Sequence, residues 1–157
     1  MTVSKKIIIV DIVSSLYALL FMYTGISKFL EQELFRNTLH KSPLLGYFTP
    51  VIAILIPGLE LLIALTLLIP FFQPAPLFHK WGLYAGTILM AIFTLYIGYM
   101  LKFANGLPCS CGGIINKLDW HQHFYFNSCF TLLGLFAVWL NNKQTKEDQN
   151  HLAFSRS

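Results

Sequence analysis

Long apolar stretches alternate with shorter polar ones along this chain. A helix needs about 20 predominantly apolar residues to cross the hydrocarbon layer of a membrane. Residues 7–30, 50–72 and 81–103 meet that length. Asp11 lies near the start of the first stretch, Lys28 near its end, and Lys102 near the end of the third. Residues 124–140 form a fourth stretch at the short limit, with a start that can reach back towards Trp120. The pattern predicts an all-α integral membrane protein, a four-transmembrane-helix bundle. An even number of spans puts both termini on the same side. Residues 1–140 are then the transmembrane domain, and the polar tail 141–157 is expected to be disordered.

The connections differ in character. Residues 31–49 are polar, with apolar Leu34, Phe35, Leu39, Leu44, Leu45 and Phe48 at intervals. They read either as a short amphipathic helix on the membrane surface or as an ordinary connecting loop. Residues 73–80 are short and carry Pro74 and Pro76. Residues 104–123 carry most of the segment GLPCSCGGIINKLDWHQHFYFN, which runs from Gly106 to Asn127. No internal repeat relates the helix pairs.

Composition supports the membrane class. Of 157 residues, 55% are hydrophobic and 11% charged, with a mean hydropathy of +0.60. Soluble domains carry about 25% charged residues. The net charge of +4 does not point to nucleic acid, because the 11 Lys and Arg are scattered, with no run longer than Lys5-Lys6. Lys5-Lys6 and the apolar run after them resemble a signal peptide. No small-residue cleavage pattern follows, and Asp11, Tyr17 and Tyr23 interrupt the run, so it reads as a retained helix. With the N-terminus inside, six basic residues fall on inner segments and five on outer ones. That count leans to a cytoplasmic N-terminus. The cysteine-bearing connection then faces the oxidising, periplasmic side, where a disulfide is permitted.

Three features carry candidate chemistry. Cys109 and Cys111 stand one residue apart, after Pro108 and before Gly112-Gly113. A disulfide closing so small a ring is strained and easily reduced, which suits exchange. The plain alternative is an unreactive pair packed at a helix end. Cys109, Cys111, His121 and His123 together also make a tetrahedral zinc inventory. Both pairs are spaced more tightly than zinc sites favour, and in a helix the two histidines point about 200° apart. They would otherwise anchor the membrane interface beside Trp120, Phe124 and Tyr125. Cys129, inside the fourth span, reads as a small buried hydrophobe.

Glu60 lies mid-span, where an ionisable group points to function. It would be neutral and hydrogen-bonded in the bundle, paired with Lys28, or bound to a polar ligand such as a quinone head group. Lys28 is two residues from its span's end, so the two backbones differ in depth by roughly 10 Å. That gap weakens the pairing. No haem-like histidine pair, phosphate loop, serine triad or dinucleotide fingerprint is present.

Three fragments in this order, FMYTGISKF (Phe21 to Phe29), IPGLELLIALTLL (Ile56 to Leu68) and CSCGG before DWHQHFYFN (Cys109 to Asn127), resemble the MauE branch of the DoxX-like membrane proteins. The resemblance covers about residues 7–140. It implies a four-helix bundle, multi-pass in a bacterial cytoplasmic membrane, associated with redox chemistry. MauE is linked to methylamine dehydrogenase maturation beside a thioredoxin-like partner, and DoxX relatives include a thiosulfate:quinone oxidoreductase subunit. The family pattern marks Gly25, Lys28, Glu60, Cys109, Cys111, Gly113 and Asn127, while His121 and His123 are additional.

The expected function is a membrane-embedded thiol-redox accessory protein. Its Cys109–Cys111 loop exchanges electrons or disulfides with a thioredoxin-like partner, a quinone or a client. His123 is the nearby base, Lys28 and Glu60 are the candidate cofactor-binding residues, and quinone is the candidate cofactor. The partners are the lipid bilayer and a thioredoxin-like protein or a larger membrane complex. Two alternatives stand beside it: a non-catalytic assembly subunit, and a metal-binding loop built from Cys109, Cys111, His121 and His123.

Overall fold

A computed structural model describes residues 3–42, 45–72, 76–103 and 120–154, with side chains for 6–42, 45–70, 72, 77–103 and 121–143. Each apolar stretch is a helix. The order is α1 (Val3–Leu30), α2 (Gln32–Lys41), a 3-10 turn (Gly46–Phe48), α3 (Thr49–Phe72), α4 (Pro76–Phe103) and α5 (Trp120–Phe154). Pro50 and Pro76 fall in the first turns of α3 and α4, where a missing N–H costs no helical bond.

Four of the helices hold stretches long and apolar enough to span a membrane: Lys6–Leu30, Gly46–Pro70, Leu77–Phe103 and His121–Lys143. At 23 to 27 residues these extend about 34–40 Å, more than a hydrocarbon layer of about 30 Å. Helix ends depart from the apolar boundaries. α1 and α5 begin four residues before the expected limits, and α4 begins five before. The apolar run measures the hydrocarbon thickness, whereas the helix continues into the polar interface. α5 also runs on to Phe154, through the polar segment expected to be disordered. That segment holds Lys143, Gln144, Lys146, Glu147 and Gln149, whose unbranched side chains cost little in a helix.

The connection 31–49 resolves into the amphipathic alternative. α2 has Glu33 in its first turn and His40 and Lys41 in its last, the polarity a helix dipole favours. It buries Phe35 and Leu39 against Ala53, with Leu45, Ile52 and Ile56 around them. The helix therefore lies over one end of the bundle.

The four long helices pack in the cyclic order α1, α3, α4, α5, with α5 returning to α1. Neighbours are antiparallel. Tyr84 and Thr94 of α4 meet Asn142 and Thr131 of α5, descending one helix as they climb the other (Tyr84 Oη donates to Asn142 Oδ1 at 2.6 Å, and the two threonine Oγ1 atoms are 2.9 Å apart). The core is formed by Val10, Tyr17, Phe21, Leu67, Leu83, Met90, Ala137 and Leu140 among others. The outer surface is apolar as well: Leu19, Leu95 and Leu132 are each at least two-thirds exposed. Water does not favour such a surface and a lipid bilayer does. Cys129 belongs to this surface. It is exposed on α5, a correction to its reading as a buried hydrophobe.

Tyr17 fixes the α1–α5 contact. It is fully buried, stacks on Phe21 with ring centroids 5.6 Å apart, and donates its hydroxyl to the Phe130 carbonyl at 2.8 Å. Gly134 makes room for it. A Cβ there would strike the Tyr17 hydroxyl and lie 2.7 Å from Thr87 Oγ1. Gly134→Ala is therefore expected to destabilise the bundle by about 1–3 kcal/mol, the usual cost of overpacking. Thermal unfolding in detergent measures it, and an unchanged midpoint would show that the contact yields freely.

Candidate functional site

Lys28 lies in the last turn of α1 and Glu60 near the middle of α3. Their backbone depths differ, yet the Lys28 ammonium donates to Glu60 Oε1 in a buried ion pair. Lys28 is 5% exposed and Glu60 1%. The pairing that axial distance weakens is thus made, and two features account for it. The lysine stem covers part of the distance. The helices also meet closely one turn before Lys28, at Gly25: a Cβ there would lie 3.0 Å from Leu61 Cδ2 and Cγ and 3.3 Å from the Pro57 carbonyl oxygen. Glycine removes the side chain that would hold α1 and α3 apart.

Two aromatic rings flank the ammonium. Its nitrogen is 5.4 Å from the centre of Phe93 on α4 and 5.8 Å from Phe35 on α2. Ring faces attract a cation most strongly where water is absent. A carboxylate and two rings therefore hold one charge at membrane depth, where a lone charge is costly.

α5 contributes the remaining polar groups. His123 and Asn127 stand one turn apart near its start and are 5% and 4% exposed. Asn127 Nδ2 donates to the His123 carbonyl at 2.9 Å. Thr24, one turn before Lys28 on α1, is 7% exposed. Its Oγ1, and His123 Nδ1, have no hydrogen-bond partner among the described residues.

These groups surround one cavity of about 250 Å³. Thr24, Lys28, Thr38, Glu60, Tyr96, His123 and Asn127 bring polar groups to its wall, and side chains such as Phe21, Ile56, Met90 and Phe93 are apolar. α2 closes one flank with Phe35 and Leu39. Residues marked far apart in sequence (Lys28, Glu60 and Asn127) thus converge here, with Gly25 beside them.

The cavity also marks one end of the bundle. It reaches Tyr96 and Ile97 near the end of α4 and His123 near the start of α5. The connection between those helix ends is the segment that carries Cys109, Cys111, Gly112 and Gly113. All four lie outside the described residues. His121 is exposed whereas His123 is buried, so the two imidazoles do not face one point. Among the described residues no group of three or more His, Cys, Asp or Glu is placed to hold a metal ion.

The sequence reading missed Thr24, Phe35 and Phe93 as members of the site. Thr24 had a signal. Ser14, Tyr17, Phe21, Thr24 and Lys28 follow steps of three and four, one inward stripe of α1 with the half-exposed Asp11 at its start. Phe93 had none, because it lies in an unbroken apolar run. The stripe also makes a contact at the opposite end, where His79 Nε2 is 2.8 Å from Ser14 Oγ and 3.9 Å from Asp11 Oδ1.

A family model described as methylamine utilisation protein MauE matches residues 6–140. The wider DoxX-like connection is not part of that match. No curated protein and no solved structure matches the chain.

Removing one member of the ion pair strands the other. Lys28→Met is expected to cost about 3–5 kcal/mol. Lys28→Met combined with Glu60→Met is expected to be more stable than the single variant, because no charge is left buried. Unfolding midpoints of the three proteins in one detergent test this. A double variant no better than the single one would show that the charges are not coupled.

Proposed function

The chain belongs to the MauE family, and on that premise we propose that it is a membrane-embedded thiol-redox accessory protein in methylamine utilisation. Cys109 and Cys111 are its exchanging pair. In one direction a Cys109 or Cys111 thiolate attacks a disulfide of a thioredoxin-like partner and forms a mixed disulfide. The second thiol then displaces the partner's sulfur. One S–S bond forms here and one breaks there, and two electrons and two protons pass to the partner. The reverse direction oxidises the partner instead. Gly112 and Gly113 leave the backbone open to close approach.

The observation that carries this reading is the position of the connection. It joins the two helix ends that border the buried polar cluster, and its last residue precedes Trp120, one turn from His123. We assign His123 the role of base, because a base next to a thiol favours the thiolate, the reactive form of cysteine. The bacterial cytoplasmic membrane supplies the setting, with the loop on its outer face, where disulfides persist. The separation of His121 from His123 by exposure argues against one ion shared by both imidazoles.

Alkylation of native membranes followed by mass measurement tests the pair. Cys109 and Cys111 are expected to be blocked under oxidant and to take up two alkyl groups after reduction. A pair that stays reduced under oxidant overturns the reading. The Cys109→Ser/Cys111→Ser variant is expected to lose its support of growth on methylamine. Full function in that variant would favour a non-catalytic assembly subunit.

A further inference from the structure

The cavity walls set the chemistry of an occupant. An apolar cavity of about 150 Å³ in a protein core holds a benzene ring. At about 250 Å³ this one has room for a substituted ring. Two wall atoms, Thr24 Oγ1 and His123 Nδ1, belong to residues more than nine-tenths buried and have no partner among the described residues. A buried polar group left unmet is destabilising, and the hydrocarbon layer has no water to meet it. An ammonium has three N–H donors. One of those on Lys28 goes to Glu60, with two rings beside the nitrogen.

Charge narrows the class further. The one lysine in the wall is matched by the one glutamate, so the lining has no net charge to attract an anion. A phosphate-bearing head group would enter without a free counter-charge. A lipid acyl chain would fit the apolar wall but leave Thr24 and His123 unmet. A flat, neutral ring with carbonyl oxygens satisfies both halves of the lining. We propose that the cavity between α1, α3, α4 and α5 binds the ring of a membrane quinone. Lys28 and Thr24 donate to its carbonyl oxygens, and His123 hydrogen-bonds the ring in either redox form. A neutral imidazole nitrogen can donate to a carbonyl or accept from a hydroxyl, depending on the tautomer. α2, with Phe35 and Leu39, closes the flank of the site.

This site stands on the cavity's own side chains and goes beyond the thiol reading. Its test therefore uses the Cys109→Ser/Cys111→Ser protein, so that failure of one reading is separate from failure of the other. The protein in lipid nanodiscs is titrated with a decyl-substituted benzoquinone, and native mass spectrometry counts the bound ligand. Saturation at one quinone per chain is expected. Thr24→Val, nearly equal in shape, is expected to weaken binding about five- to tenfold through one lost hydrogen bond. Ile56→Trp, which fills the cavity, is expected to abolish it, with helical content by circular dichroism confirming that both variants fold. Two results overturn the proposal. One is quinone uptake that never saturates and is equal in all three proteins. The other is a phospholipid retained by the protein that the quinone does not displace.

Discussion

A cation and an anion buried at membrane depth must find each other, and much of this bundle follows from that requirement. Lys28 reaches Glu60 only because α1 and α3 meet closely at Gly25. The ammonium also needs surroundings that tolerate its charge, and Phe93 of α4 and Phe35 of α2 provide them. One ion pair thus constrains four helices. It also explains why a short amphipathic helix lies across this end of the bundle, since Phe35 both anchors α2 and faces the charge.

Outside and inside are specialised in opposite ways. The outer surface presents leucine, isoleucine and aromatic side chains to lipid. The inner stripe of α1 carries hydroxyls and charged groups instead: Ser14 meets His79 towards one end, Tyr17 meets the Phe130 carbonyl in the middle, and Lys28 meets Glu60 towards the other end. Between the ends lies the close-packed middle around Tyr17, Phe21 and Met90. The cavity with its buried polar groups therefore lies towards one end of the bundle. The other end has a smaller cluster of Asp11, Ser14 and His79.

The spans were legible because hydrocarbon thickness imposes a length that apolar runs reveal directly. Glu60 was legible as a mid-span charge, and Lys28 as a candidate partner for it. Their contact was not, because sequence gives the axial level of two backbones but not the reach of a side chain. It also does not show how closely a glycine lets two helices approach. The amphipathic spacing of Phe35 and Leu39 left two readings open, and burial against Ala53 decided between them. Cys129 was misplaced because a residue inside a span is equally apolar whether it faces lipid or core. α5 outran its apolar run because lipid thickness limits only the oily part of a helix.

The ion pair also has an evolutionary consequence. Positions 28 and 60, which lie 32 residues apart, are tied together because each balances the other's buried charge. A change at either position leaves a naked charge in oil, so drift is blocked at each unless both move together. The lysine and the glutamate are therefore replaceable as a pair at lower cost than either is alone.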